Sequence, residues 1–416
     1  MAEKCRLYCA KMLVVCSRFS YSPILILRFA NSCFANSSYP RKKIVIRRKI
    51  KSRHLSTSGR KSNFVRMKRL FPLLACCCWV VLFFASCRKQ PPAVPRPAPS
   101  VYYWRTVLTF SPEERAFLRR HHIGKVYLRY FDVAPDQITD EPVPVATLQW
   151  RDSVPGGIEI VPVVFIVNSC LDAAPASLDT LADRIARRVE QMSITNDCDS
   201  RVREVQIDCD WTAQTASAYF AFLRRLRSTL TAHGLGLSAT IRLHQLSQAA
   251  PPVDYGVLML YNTGDPRDVH NPNPILRLRD VKPFVSGIAD YPLPLCAAYP
   301  DYHWQRLVGG GRYKGLLYAE RLDDSTVYRR VRSDAYVVIS SRYVSPVVGG
   351  SRESDVLLVP GDSVFVHDSR LDEIRAVRAE LSRRRPDLHR QVILYPLDTK
   401  NIQRHTSSRY EEIYRP

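Results

Sequence analysis

Past residue 100 the sequence lacks any marked excess of one charge, and this removes the reading that its overall composition invites. The 416 residues carry a formal charge of +22, which taken alone suggests a nucleic-acid partner. Residues 1–66, however, hold 16 Lys and Arg against the single acid Glu3, and residues 67–100 add five basic residues and no acid. Residues 101–416 have 40 basic and 38 acidic side chains. So balanced a domain has no electrostatic footprint for a polyanion, and no nucleic-acid partner is expected. Metal and redox motifs are lacking too. Cys170, Cys198, Cys209 and Cys296 form no CxxC pair and no Cys/His cluster at ligand spacing, so no metal or other cofactor is expected. A Cys170–Cys198 disulfide is one of several pairings that four cysteines allow. No Gly-rich turn follows the first strand-like segment, which argues against a dinucleotide-binding sheet.

What is present begins with an export pattern. Met67-Lys68-Arg69 is a short positive start, Leu70 to Ala85 is an almost continuous apolar run, and Ala85-Ser86-Cys87 supplies small residues before a cysteine. These are the parts of a secretory signal, and they resemble the bacterial lipoprotein signal, with Phe84 where a Leu is usual. The resemblance implies cleavage before Cys87, lipidation of Cys87, and a membrane-anchored protein of the cell envelope. A spanning helix is the competing reading, but the run is short for one and Pro72 interrupts it. Residues 1–66 are then expected to be either a misplaced gene start, with translation beginning at Met67, or a disordered basic extension. Residues 88–100, with prolines at 91, 92, 95, 97 and 99, are expected to form an extended, semi-rigid tether.

From residue 101 to 416, strand-like and helix-like segments alternate. Ser111-Pro112-Glu113-Glu114 reads as a helix start with a capping box. Strands are expected at 125–132, 143–150, 158–168, 204–211, 236–246, 256–262, 293–298 and 391–397, with a helix at 371–384 before the last. Eight strands with intervening helices match a (β/α)8 barrel of α/β class. Residues 306–369 break the alternation and read as a small β-rich insertion after the seventh strand.

The segment Glu204-Val-Gln-Ile-Asp-Cys-Asp-Trp-Thr212 carries the strongest local signal. Side chains alternate along a strand, so Glu204, Gln206, Asp208, Asp210 and Thr212 share one face while Val205, Ile207, Cys209 and Trp211 share the other. In a barrel the polar face turns inward, and Asp208 and Asp210 stand near the strand's C-terminal end, where barrel enzymes place their sites. Like charges brought together raise one another's proton affinity, which suits acid–base chemistry. Residues 238–244 alternate likewise, placing Ser238, Thr240, Arg242 and His244 on one face. Arg242 is therefore also a candidate for a purely structural ion pair with Asp208 or Asp210.

These strands, in this order, resemble the chitinase-like family 18 glycoside hydrolases, whose fourth strand carries DxxDxDxE. Met259-Leu260-Tyr261-Asn262 is similar to that family's sixth-strand Met-x-Tyr-Asp, and Leu293-Pro294-Leu295 to the start of its seventh. The resemblance implies that Asp208 and Asp210 serve catalysis, with Asp210 orienting the substrate's acetamido group and Tyr261 holding it. It also implies a glycan ligand, with Met259 and Asn262 of the sixth-strand motif as further candidate contacts; Arg242 and His244 join them by strand alternation, and Tyr299 as an aromatic face suited to a sugar ring. Thr212, however, stands where the family has its general-acid Glu, and a hydroxyl cannot protonate a leaving oxygen near neutral pH. Asn262 likewise replaces an Asp.

Three readings remain open. One is a carbohydrate-active enzyme whose acid comes from elsewhere, with Asp132 and Asp301 as candidates. The second is a catalytically inactive barrel that binds glycan through aromatic residues such as Trp211, Tyr261, Tyr299 and Trp304, or an envelope protein with a purely structural role. The third takes Asp208-x-Asp210 as the metal-binding motif of a nucleotide-sugar transferase, with no nucleotide-binding turn to accompany it.

Overall fold

The computed structural model describes residues 98–318, 320–345 and 355–415. The export signal, Cys87 and the tether up to residue 97 lie outside the described residues.

Eight parallel strands close on themselves: β1 (Ser100–Tyr103), β2 (Lys125–Pro135), β3 (Glu159–Ile166), β4 (Glu204–Cys209), β5 (Gly236–Ile241), β6 (Tyr255–Met259), β7 (Leu295–Pro300) and β8 (Val392–Tyr395). Closure is made by β1, which pairs in parallel with β8 (Ser100 opposite Ile393) and with β2 (Ser100 opposite Lys125). The fold is thus a (β/α)8-type barrel, as expected, but the strand membership differs in two places. Ser100–Tyr103, at and beyond the end of the expected tether, is the first barrel strand. Residues 143–150 are not a barrel strand: Pro142–Val145 is an antiparallel flap on β2, and Gln149–Trp150 pairs only with Val107–Leu108. Pro142 and Pro144 explain the second change, since a residue without an N–H is confined to sheet edges. The first was hidden because four residues after a proline run show too little periodicity.

Helices pack outside the strands where the sequence carries an apolar stripe. α1 (Pro112–Arg120) begins with the expected capping box, the Ser111 hydroxyl accepting from the Glu114 N–H while the Glu114 carboxylate accepts from the Ser111 N–H. α2 (Pro175–Thr195) buries Leu178, Leu181, Ala182, Ile185, Ala186 and Val189, the i, i+3, i+4 spacing of an amphipathic helix. α3 (Ala216–Ala232) follows β4, α4 (Leu371–Arg384) precedes β8, and α5 (Ser407–Tyr414) ends the described chain. After β5 there is only a 3-10 turn, Leu243–Ser247.

Between β7 and α4 stands the β-rich insertion. Its five-stranded antiparallel sheet runs, across the sheet, Arg312–Leu317, His303–Gly309, Ser363–Asp368, Ala335–Val338 and Tyr328–Arg332. A two-stranded ribbon, Arg342–Val344 with Val356–Leu358, accompanies it, and the insertion has its own small core of Leu307, Leu317, Tyr328, Val338, Leu358 and Val364. The four cysteines after Cys87 are buried and free, so the Cys170–Cys198 pairing is not formed.

Candidate functional site

The barrel interior is polar, and its two ends are built differently. Toward the N-terminal ends of the strands, buried Lys125 lies 3.0 Å from the Glu159 carboxylate and 3.7 Å from that of Glu204. Glu204 accepts from the Tyr255 hydroxyl, the Tyr255 and Tyr127 hydroxyls are 2.8 Å apart, and Gln391 donates to Tyr127. One layer higher, the Tyr102 hydroxyl donates to Gln206. The strand alternation read from the sequence therefore holds: Glu204, Gln206 and Asp208 all face inward. Burial raises the proton affinity of Glu204, with Lys125 and the Tyr255 hydrogen bond opposing it.

At the C-terminal ends the interior opens into a cavity of about 590 Å³, lined among others by Trp104, Arg129, Asp132, Asp208, Asp210, Arg242, His244, Met259, Tyr261, Asn262 and Tyr395. This is the end where barrels of this type carry their sites, and the size suits a small ligand. A bulge in β2, where the register against β3 shifts between Arg129 and Phe131, turns both Arg129 and Asp132 into the cavity. Their contact is two-pronged: Arg129 Nε donates to one Asp132 oxygen at 2.7 Å and Nη2 donates to the other. Across from it, Arg242 bridges the acidic pair, donating from Nη2 to Asp208 at 3.2 Å and from Nε to Asp210. Asp208 also accepts the Thr240 hydroxyl at 2.7 Å.

The two members of the Asp-x-Asp pair thus live in different surroundings. The Asp208 side chain is 5% exposed and that of Asp210 58%. Burial raises the Asp208 proton affinity, opposed by Arg242 and Thr240 and assisted by Asp210 and Asp132. Burial works against the Arg242 charge, but the two aspartates outweigh it and hold the guanidinium more firmly protonated than usual. The aromatic side of the cavity is a cluster: Tyr261 stacks on Tyr395 with centroids 4.6 Å apart, and Trp104 meets Tyr395 edge-on at 5.8 Å. The Arg129 guanidinium lies 5.5 Å from the Trp104 ring centre. Among the described residues the buried Tyr261 hydroxyl has no hydrogen-bond partner. Nothing in the set resembles a metal site: among the described residues no group of three or more His, Cys, Asp or Glu side chains is placed to hold an ion.

Of the residues singled out from the sequence, Asp208, Asp210, Arg242, His244, Met259, Tyr261 and Asn262 all line this cavity. Tyr299 does not. Cys296 and Ala298 lie in the core inside the barrel, so Tyr299 points outward, where it is fully buried against His389. Trp211 likewise packs outside on Tyr219 and Phe220, and Trp304 packs on His367 in the insertion. Asp301, a candidate acid, is sealed behind the barrel wall, where it accepts from Tyr410; burial pushes its carboxyl up to about 7. Thr212 is not among the lining residues; its N–H donates to the Thr215 hydroxyl at the start of α3. Sequence reasoning missed Trp104, Arg129 and Tyr395 as site residues. Tyr395 was within reach, since it alternates with Leu394 on the last strand, whereas the β2 bulge that admits Arg129 has no sequence signature.

No protein-family profile and no curated protein matches this chain. Solved structures similar in overall shape include a chitinase from Chromobacterium violaceum (14% identity over 76% of this chain and 98% of that one, TM-score 0.43). Another is a spore cortex-lytic enzyme from Bacillus megaterium (13% identity, 78% and 75%, TM-score 0.44). A third is a Group IV chitinase from Ostrinia furnacalis (12% identity, 76% and 97%, TM-score 0.44). Likeness at this level assigns no chemistry, and the barrel assignment rests on the closed sheet itself.

Proposed function

We propose that the upper lumen binds a carbohydrate without cleaving it, on a protein held to the cell envelope through a lipid at Cys87. One observation carries the binding reading: an open cavity joins an aromatic cluster to polar groups while each of its three carboxylates is tied to an arginine. Aromatic faces take the apolar face of a sugar ring, and a few fixed polar groups set its orientation. Cleavage of a glycosidic bond needs, in addition, a protonated carboxyl that reaches the leaving oxygen. Asp208 has the raised proton affinity, but it is enclosed and accepts from Thr240 and Arg242. The motif resemblance makes N-acetylglucosamine oligomers the first ligands to try.

One feature favours catalysis instead. Among the described residues Asp210 is held by Arg242 alone, and it is more than half exposed, so an incoming acetamido group has access to it. A glycan array probed with the wild type and Tyr395→Ala tests binding; we expect a discrete set of oligosaccharides, lost in the variant. Release of reducing ends by the wild type but not by Asp210→Asn would select the enzyme. The envelope claim is tested separately by feeding cells an alkyne-bearing fatty acid: labelling is expected in the wild type and absent in Cys87→Ser.

A further inference from the structure

The β-rich insertion is tied by one buried cation to the loop that continues from the cavity wall. Arg306, on the strand His303–Gly309, is 2% exposed and is not among the cavity-lining residues. Its guanidinium donates to three backbone carbonyls of the loop that follows β6: Asp268 at 2.8 Å, Val269 at 3.3 Å and Asn271 at 3.0 Å. The same loop begins with Asn262 and Thr263, both on the cavity wall. Asn262 takes a left-handed backbone conformation (φ 51°) and its side-chain oxygen accepts from Tyr302 at 2.6 Å. Asn273 gives a further tie, donating to the Asp368 carbonyl at the end of the insertion. Between these points the loop is tightly closed, so that a Cβ on Gly264 would stand 2.3 Å from the Asn271 side-chain nitrogen.

We propose that Arg306 is a positioning residue: it fixes the 265–273 loop, and through it the Asn262–Thr263 wall, so that the cavity is formed before ligand arrives. The inference rests in part on the binding reading, but its structural half stands alone. Carbonyls left without their donor inside the protein are driven toward water, and a loop freed in this way opens locally. A ligand must then reorder the wall on binding, which weakens affinity. The insertion is accordingly a brace for the mouth of the barrel.

The experiment compares wild type, Arg306→Leu, Arg306→Lys and Lys314→Ala. The last loosens the insertion elsewhere, since Lys314 bonds Asp362 and the Leu357 carbonyl, both of them outside the loop. Two quantities are read: trypsin cleavage after exposed Arg267, by mass spectrometry, and calorimetric affinity for the N-acetylglucosamine tetramer. Arg306→Leu is expected to be cut about tenfold faster and to bind about tenfold more weakly. Arg306→Lys should fall between it and the wild type, and Lys314→Ala should match the wild type in both. Wild-type resistance in Arg306→Leu, or equal sensitivity in Lys314→Ala, overturns the assignment. Should Arg306→Leu not fold, wild-type resistance in Arg306→Lys does the same. If the wild type binds no tetramer, the binding reading fails, and the cleavage rates alone decide the role of Arg306.

Discussion

The lower and upper halves of the barrel interior both carry polar side chains but complete them differently. Below, Lys125, Glu204, Tyr255, Tyr127 and Gln391 satisfy one another in a closed network. Above, the same kinds of side chain leave the Tyr261 hydroxyl without a partner and the Asp210 carboxylate half in solvent. Inward-facing polar residues on a strand therefore do not by themselves mark a site. The informative feature is the polar group that the fold leaves unfinished, because a buried group lacking a partner is costly and a ligand can supply one.

The largest expected effect lies with another sealed group, Asp301. Its carboxyl, raised by burial to about 7, keeps its proton in the folded state while the unfolded chain loses it near the ordinary carboxylate range. Its contribution is full at acid pH and is lost as pH rises from about 4 to about 7, on the order of 4 kcal/mol in all. Urea unfolding at pH 4.5 and 7.5 should show this loss in the wild type relative to Asp301→Asn. Next, Lys125→Ala strips the lower network of its cation and should cost about 3 kcal/mol, read as a lower urea midpoint at unchanged slope. The sharpest paired contrast follows. Tyr255→Phe removes a hydroxyl bonded to Glu204 and should cost about 1–2 kcal/mol, whereas Tyr261→Phe removes an unpartnered one and should leave stability within about 0.5 kcal/mol. Equal costs at the two tyrosines would break the comparison. Asp210→Asn belongs with Tyr261→Phe at the small end, since its half-exposed ion pair should contribute no more than about 0.5 kcal/mol.

How much of this was legible in the sequence follows from the range of the forces involved. The inward turn of Asp208 and the outward turn of Cys209 are local consequences of strand geometry, so alternation along residues 204–209 was enough. The capping box at Ser111 and Glu114 is equally local. Aromatic character alone does not place Tyr299: the alternation of its own strand, which sets Cys296 and Ala298 inside, turns it outward. The pairing of Arg129 with Asp132 depends on a bulge whose register is fixed by β3, and the Arg306 brace depends on the insertion meeting a loop about 35 residues away in sequence. Such tertiary coincidences leave no periodic trace. The likeness to family 18 motifs did direct attention to the open end of the barrel, although Thr212 turned out to serve the start of a helix.

The most direct test is to mix the protein with the N-acetylglucosamine tetramer and follow heat and products together. The account predicts saturable heat with the tetramer recovered intact, and no heat with Tyr395→Ala. Shorter sugars accumulating in the wild-type sample, or no heat from any neutral oligosaccharide tried, would contradict it.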